Sequence, residues 1–332
     1  MNGKERVAAA MRGEKQDRIP VMCQLSTPHV IKHSRLSAAE FSRCYDRVYP
    51  ETLFRLTDEY GMDGVLMDPP PLSLALPAKG KSIEDTALAE LYFHREKLTA
   101  MSESLLRGYQ TALRIMGSSL SVHSFVASPM TLLTGLYSIQ DTHLALYDCP
   151  EKCKELLDEL TEYAKIWADR MIEAGLHAVC VTAPYEGAGL ISKEMYLEFA
   201  DPYTRRLVQH ITSKGVPCYI HMCGKINDRL EILADCGIDG LECLDPPPIG
   251  NVELADAIDR IGHKVFIKGN IDPVNTVLKG TPRQVYDDAL RRLKLAAGKT
   301  NRFILSTACS VPADAPADNL RAIVRAAENY AL

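Results

Sequence analysis

The stretch Val216-Pro217-Cys218-Tyr219-Ile220-His221-Met222-Cys223-Gly224 reads as a buried strand that ends in chemistry. Its first part is an apolar run of strand length, and the glycine at its end allows the chain to turn. Side chains at i and i+2 lie on one face of a strand, so His221 and Cys223 point together. An imidazole and a thiol side by side are two suitable ligands for zinc. Cys309, in Ser306-Thr307-Ala308-Cys309-Ser310-Val311-Pro312, follows another apolar run, Phe303-Ile304-Leu305, and offers a third donor from the same kind of position. Three protein ligands with an open fourth position describe a catalytic zinc rather than a closed structural one.

Outward from this stretch the same unit recurs. Strand-like runs at residues 18–25, 64–68, 119–125, 178–182, 217–221, 240–244, 264–267 and 302–306 are each followed by a helical pattern. Those patterns cover about 37–60, 98–115, 131–145, 150–174, 192–213, 225–236, 251–261, 281–297 and 316–330. Eight such repeats with right-handed crossovers predict an α/β fold, a single (β/α)8 TIM barrel over residues 1–332. It carries an N-terminal helical extension, which Asn2 caps and Glu5 reaches back to close. Residues 72–98 show no clear period and read as a long loop or lid. In such a barrel the chemistry gathers where strands end and loops begin. His221, Cys223, Asp245, the turn Gly269-Asn270-Ile271-Asp272-Pro273 and Cys309 fall there, on strands five to eight, and Asp68 and Glu186 fall on the same rim after strands two and four.

The composition narrows the function. The chain has 332 residues, 46% hydrophobic and 24% charged, which suffices for a large core. A formal net charge of -5, without a long Lys/Arg run, excludes a nucleic-acid surface. No run of 18 apolar residues and no apolar leader follow Met1, so the expectation is a cytoplasmic protein with no membrane partner. Ten irregularly spaced cysteines in such a compartment read as thiols rather than disulfides.

Several segments resemble the uroporphyrinogen decarboxylase superfamily, and within it the cobamide-dependent methyltransferases. They are Asn2-Gly3-Lys4-Glu5-Arg6 with Asp17-Arg18-Ile19-Pro20-Val21, the 269–273 turn, and the closing stretch from Ser306 to Pro316. The methyltransferase branch is marked by H-x-C-G plus a late cysteine, which fall on His221, Cys223 and Cys309. The resemblance implies zinc on those three residues, a corrinoid such as methylcobalamin as co-substrate, and a small methyl donor or thiol acceptor. No D-x-H-x-x-G cobalamin motif is present, so the corrinoid would arrive on a separate corrinoid protein or free in solution. Lys225-Ile226-Asn227 replaces the Thr-containing continuation of the coenzyme M enzymes, which leaves the acceptor open between a thiol and a methyl ether or amine. Two alternatives stand beside this reading: a uroporphyrinogen decarboxylase-like lyase, and a non-catalytic barrel that handles zinc or corrinoid. Against the lyase, Gln24-Leu25-Ser26-Thr27-Pro28-His29 lacks the arginines that hold the tetrapyrrole's carboxylates in that branch.

Other polar residues are weighed in the same way. Asp245 resembles an acidic residue of the family and is the candidate fourth group at zinc, with a loop carboxylate before Pro246 as the plain reading. Asp68 is placed like the decarboxylases' key acid, and a turn residue is its plain reading. Glu242 lies three residues before Asp245 and by strand alternation should point the other way. Glu186 and Tyr185 read as solvated rim, His123 as a strand residue, His29 and His33 as loop residues, and Cys149 and Cys153 as ordinary helix cysteines.

Overall fold

The computed structural model describes residues 1–69 and 82–330, with the backbone alone for 92–105. Seven strands form one parallel sheet in chain order: β1 (Gly64–Met67), β2 (Ser121–Ala127), β3 (Ala178–Thr182), β4 (Cys218–Met222), β5 (Gly240–Cys243), β6 (Phe266–Ile271) and β7 (Phe303–Thr307). Helices cross over between consecutive strands, and the sheet curls.

Among the described residues the expected eight strands are therefore seven. Residues 18–25 make only isolated parallel bridges, Val21 with Leu305 and Leu25 with Val311. Two features stop a full ladder there. Pro20 has no N–H to donate, and the Val21 amide is taken by the Asp63 carboxylate at 2.8 Å. Asp63 also binds Arg18 at 2.7 Å and pairs with Arg6, while Arg6 donates to Asp17 at 2.7 Å. The N-terminal segments are thus tied together by one buried carboxylate just before β1.

Helix Gly3–Arg12 carries the expected capping box, with Asn2 accepting from the Glu5 amide and Glu5 reaching back to Asn2. Its Val7, Ala10 and Met11 pack on the inner face of the sheet with Met22, Ala178, Tyr219 and Phe266. Gly240 makes room for this layer, since a Cβ there would stand 2.3 Å from the Phe266 ring. The remaining apolar core lies between the sheet and its helices.

Helix boundaries differ in instructive places. The pattern over 37–60 divides at Cys44 into Ala38–Arg43 and Tyr45–Tyr60, and that over 192–213 divides at Ala200. Pro202 favours the first turn of a new helix, having no N–H to place in an interior one. Helix Leu88–Met116 begins about ten residues earlier than expected. Residues 72–81 of the predicted lid lie outside the described residues. Among the described residues, no helix is long and apolar enough to cross a membrane.

Candidate functional site

β4 ends in His221 and Met222, Cys223 follows directly, and Cys309 lies two residues beyond β7. Their ligand atoms lie within 4.8 Å of one another. Nε2 of His221 stands 3.2 Å from Cys223 Sγ and 3.9 Å from Cys309 Sγ. The alternation argument and the strand-end placement thus bring the three predicted ligands to one point. Burial opposes a charge on His221, yet its contacts with Cys223 and Cys309 and the nearby Glu242 carboxylate outweigh it and hold the imidazole well above its ordinary value. Cys223 raises the Cys309 thiol, and burial adds to it. Cys243 acts on Cys223 in the same direction. A divalent metal reverses this preference, because ligation takes the thiol proton. Two sulfurs and one imidazole nitrogen fit zinc.

Behind the imidazole sits a group that the sequence reading left out. Cα register aligns His221 with Glu242 and Glu242 with Lys268, so the three share one face of β4, β5 and β6. Glu242 Oε2 is 3.6 Å from His221 Nδ1, and Lys268 donates to Glu242 Oε1. All three residues are buried, Lys268 at 0% and Glu242 at 1% exposure. Burial pushes the Glu242 carboxyl up, but Lys268 and His221 prevail and hold it at about 2. The prediction that Glu242 faces away from the site fails because strand alternation stops after it. Cys243 and Leu244 both have positive φ, 89° and 53°, so the count of three to Asp245 carries no information about facing. A usable signal was present: Glu242 and Lys268 are lone charges inside adjacent apolar strand runs.

The trio opens on a cavity of about 290 Å³, lined also by Gln24, Leu66, Asp68, Phe125 and Thr182. Among the described residues no Lys or Arg lines it. Asp68 spends Oδ2 on the Thr27 amide at 2.8 Å and on the Thr27 hydroxyl, while Oδ1 has a long contact of 3.4 Å with Gln24. Burial raises its carboxyl above the ordinary value. Asp245 is 2% exposed and accepts from the Gly224 amide at 2.7 Å, which fixes the turn after Cys223. With Cys223 and Cys243 it forms a second close trio of possible donors.

The remaining candidates fall elsewhere. Glu186 is not solvated rim: it is fully buried, Ser128 donates to its Oε1, and burial pushes its carboxyl up to about 7. His123 is buried between Ser121 at 2.9 Å and Tyr219 at 3.2 Å, away from the cavity lining. His29 is buried against Tyr60 and helps seat helix Thr27–Ser34 rather than sitting in a loop, and His33 belongs to the same helix. Cys149 is the cap residue before helix Pro150–Ala174 and Cys153 lies at its start, both outside the lining of the cavity beside the donor trio.

Comparison with known proteins gives the family and the fold. The family model described as uroporphyrinogen decarboxylase (URO-D) matches residues 2–330. The chain is 28% identical to the methylcobamide:CoM methyltransferase MtbA of Methanosarcina acetivorans, over 56% of this chain and 51% of that enzyme. It thus spans about half the length of that relative. With the methylcobamide:CoM methyltransferase MtaA of Methanosarcina barkeri the identity is 23%, over 98% of both chains. Relatives named uroporphyrinogen decarboxylase match as well. Among solved structures, a methyltransferase from Methanosarcina mazei superposes with a TM-score of 0.81 at 20% identity, covering 99% of this chain and 98% of that one. At that identity the likeness speaks for the fold.

Proposed function

We propose that this chain, which belongs to the uroporphyrinogen decarboxylase family, is a zinc-dependent methyltransferase that moves a methyl group between a corrinoid and a small substrate. The observation that carries the reading is the donor trio His221, Cys223 and Cys309, gathered at strand ends beside a cavity. The relatives named methylcobamide:CoM methyltransferase support it. Zinc held by these residues would supply a soft Lewis acid that lowers the pKa of a thiol or polarises an ether or amine heteroatom. The corrinoid is a co-substrate delivered on a separate protein or free.

The chain's own residues then have distinct tasks. Leu66, Phe125 and Pro184 give the cavity apolar walls that limit water beside the reacting heteroatom. Asp68 keeps Oδ1 for the substrate, since Oδ2 is committed to Thr27. We assign it to accept a hydrogen bond or a proton there. Asp245 holds the Gly224 turn and, close to Cys223, is the carboxylate we assign to complete the ligand set when no substrate is bound. The decarboxylase reading gains no support from the cavity, because a polycarboxylate needs cations and none of the described lining residues is Lys or Arg.

Metal analysis tests the premise: the purified chain should hold one zinc, and Cys223→Ser and Cys309→Ala should lose it. Methylcobalamin should be demethylated when a thiol is supplied, or cob(I)alamin methylated when a methyl ether or amine is. Absence of zinc from the active wild type, or carbon dioxide release from uroporphyrinogen at an enzymatic rate, would overturn the reading.

A further inference from the structure

Glu242 and Lys268 do nothing for the sheet that apolar residues would not do better. A buried ion pair is often no more stabilising than well-packed hydrophobic residues of similar volume, because both charges lose their water. Their neighbours on the inner face, Tyr219 on β4 and Phe266 on β6, show what the same strands hold where no charge is needed. The pair nevertheless sits in register with His221 across β4, β5 and β6.

Its geometry faces one atom. Lys268 occupies Oε1 of Glu242, which leaves Oε2 directed at His221 Nδ1 at 3.6 Å, with Cys180 Sγ at 3.7 Å as the other neighbour. Nδ1 is fully buried and has no hydrogen-bond partner among the described residues. A contact of 3.6 Å is longer than a hydrogen bond. Such contacts often tighten when a site is loaded, and a buried N–H without an acceptor is costly.

We infer that Glu242, held by Lys268, is the positioning residue of the metal centre: it accepts from Nδ1–H of His221 and so fixes the tautomer that presents Nε2 to the metal. Lys268 serves two purposes. It anchors Glu242 through Oε1 so that Oε2 faces Nδ1, and it offsets the carboxylate's charge beside the imidazole. The inference rests on the zinc reading above and adds a residue pair to it.

The test measures zinc affinity by chelator competition on the full chain, together with ¹⁵N shifts of His221 and the melting temperature. Removing one charge alone leaves the other buried and unpaired, so the variants are Glu242→Leu/Lys268→Met and Glu242→Gln/Lys268→Met. Loss of an outer carboxylate typically weakens metal binding roughly 10- to 100-fold, and that is expected for the Leu/Met pair. The Gln/Met pair keeps an acceptor without charge and should fall between it and wild type. With zinc on Nε2 the Nδ1 proton is obligatory, so the readout is its hydrogen bond: in the Leu/Met variant the His221 Nδ1–H should lose its acceptor and its ¹⁵N signal should shift upfield of wild type. A folded Leu/Met variant with wild-type zinc affinity and an unmoved Nδ1–H signal would overturn the inference. Wild type without zinc affinity would instead overturn the zinc reading, so the two failures are distinguishable.

Discussion

Two glutamates lie wholly buried near the carboxyl ends of the strands, and they titrate in opposite directions. Glu242 sits between Lys268 and His221 and stays ionised down to about pH 2. Glu186 has a hydroxyl, that of Ser128, on one oxygen and, among the described residues, no partner for Oε2, and its carboxyl rises to about 7. Burial pushes both up, so burial does not decide the outcome. The partner does: a cation in register on the next strand offsets the cost of desolvation, whereas one hydroxyl does not. Arg229 lies near Glu186, but its guanidinium bonds the Glu186 carbonyl and Asp228 rather than the carboxylate, and Asp201 pushes the other way.

The largest break in this comparison is Lys268→Met. It strands the Glu242 carboxylate in the interior, and removing one partner of a buried pair typically costs about 3–5 kcal/mol. Chemical denaturation should show a loss of that order. A loss below about 1 kcal/mol, the range of exposed pairs, would mean that the carboxylate finds water or another cation.

The same contrast explains what was legible in the sequence. The approach of His221, Cys223 and Cys309 could be read because each lies at or just past a strand end, where period two and the βα unit fix direction. The seven expected strands after the first each overlap an observed one, among them Ala178–Thr182 without any shift. What escaped the reading depends on non-local contacts. Residues 18–25 look like a strand by composition, but a side chain 42 positions away takes the Val21 amide. Glu242 was hidden by two successive left-handed residues, Cys243 and Leu244, that no side-chain pattern announces. Glu186, in a Pro-Tyr-Glu-Gly run, has the composition of a solvated loop. It is buried because the loop beyond β3 packs on the one beyond β4, with the Ala188 amide bonded to the Lys225 carbonyl at 2.7 Å.

A smaller effect tests the Glu186 side. Its folded-state pKa of about 7 lies above the ordinary 4.5. The fold therefore keeps a proton that the unfolded chain gives up. The stability this contributes is complete below about pH 4.5 and is lost as the pH rises to about 7. At roughly 1.4 kcal/mol per unit, the loss approaches about 3 kcal/mol. Glu186→Gln, neutral at every pH, should escape it. The opposite slope comes from His29 and His177, held down to about 4, and His123, held down to about 3, each by burial. Those histidines are common to both proteins, so they cancel in the difference between variant and wild type. That difference should be near zero at about pH 4.5 and grow to favour Gln by about 2–3 kcal/mol at about pH 8. A difference independent of pH would show that Glu186 is already ionised in the fold.

Ser128→Ala gives the smallest effect and the sharpest reading of what the hydroxyl contributes. Ser128 Oγ has two tasks. It accepts from the Thr131 amide at 3.0 Å, capping helix Pro129–Leu136, and it donates to Glu186. Losing a serine cap typically costs about 1 kcal/mol, and this part does not depend on pH. Losing the donor matters only when Glu186 carries charge, since the hydroxyl lowers the carboxyl's pKa by favouring its ionised form. Without it the folded pKa rises further, and an added penalty of about 1 kcal/mol or more should appear only above about pH 7. The background of Glu186→Gln separates the two parts. There, Ser128→Ala should cost the cap alone, with the same value at about pH 5 and about pH 8, and the coupling between the two substitutions should emerge only on the alkaline side. If the cycle shows equal coupling at both pH values, the Ser128–Glu186 contact is a neutral hydrogen bond throughout, and the carboxyl's ionisation does not pass through this hydroxyl.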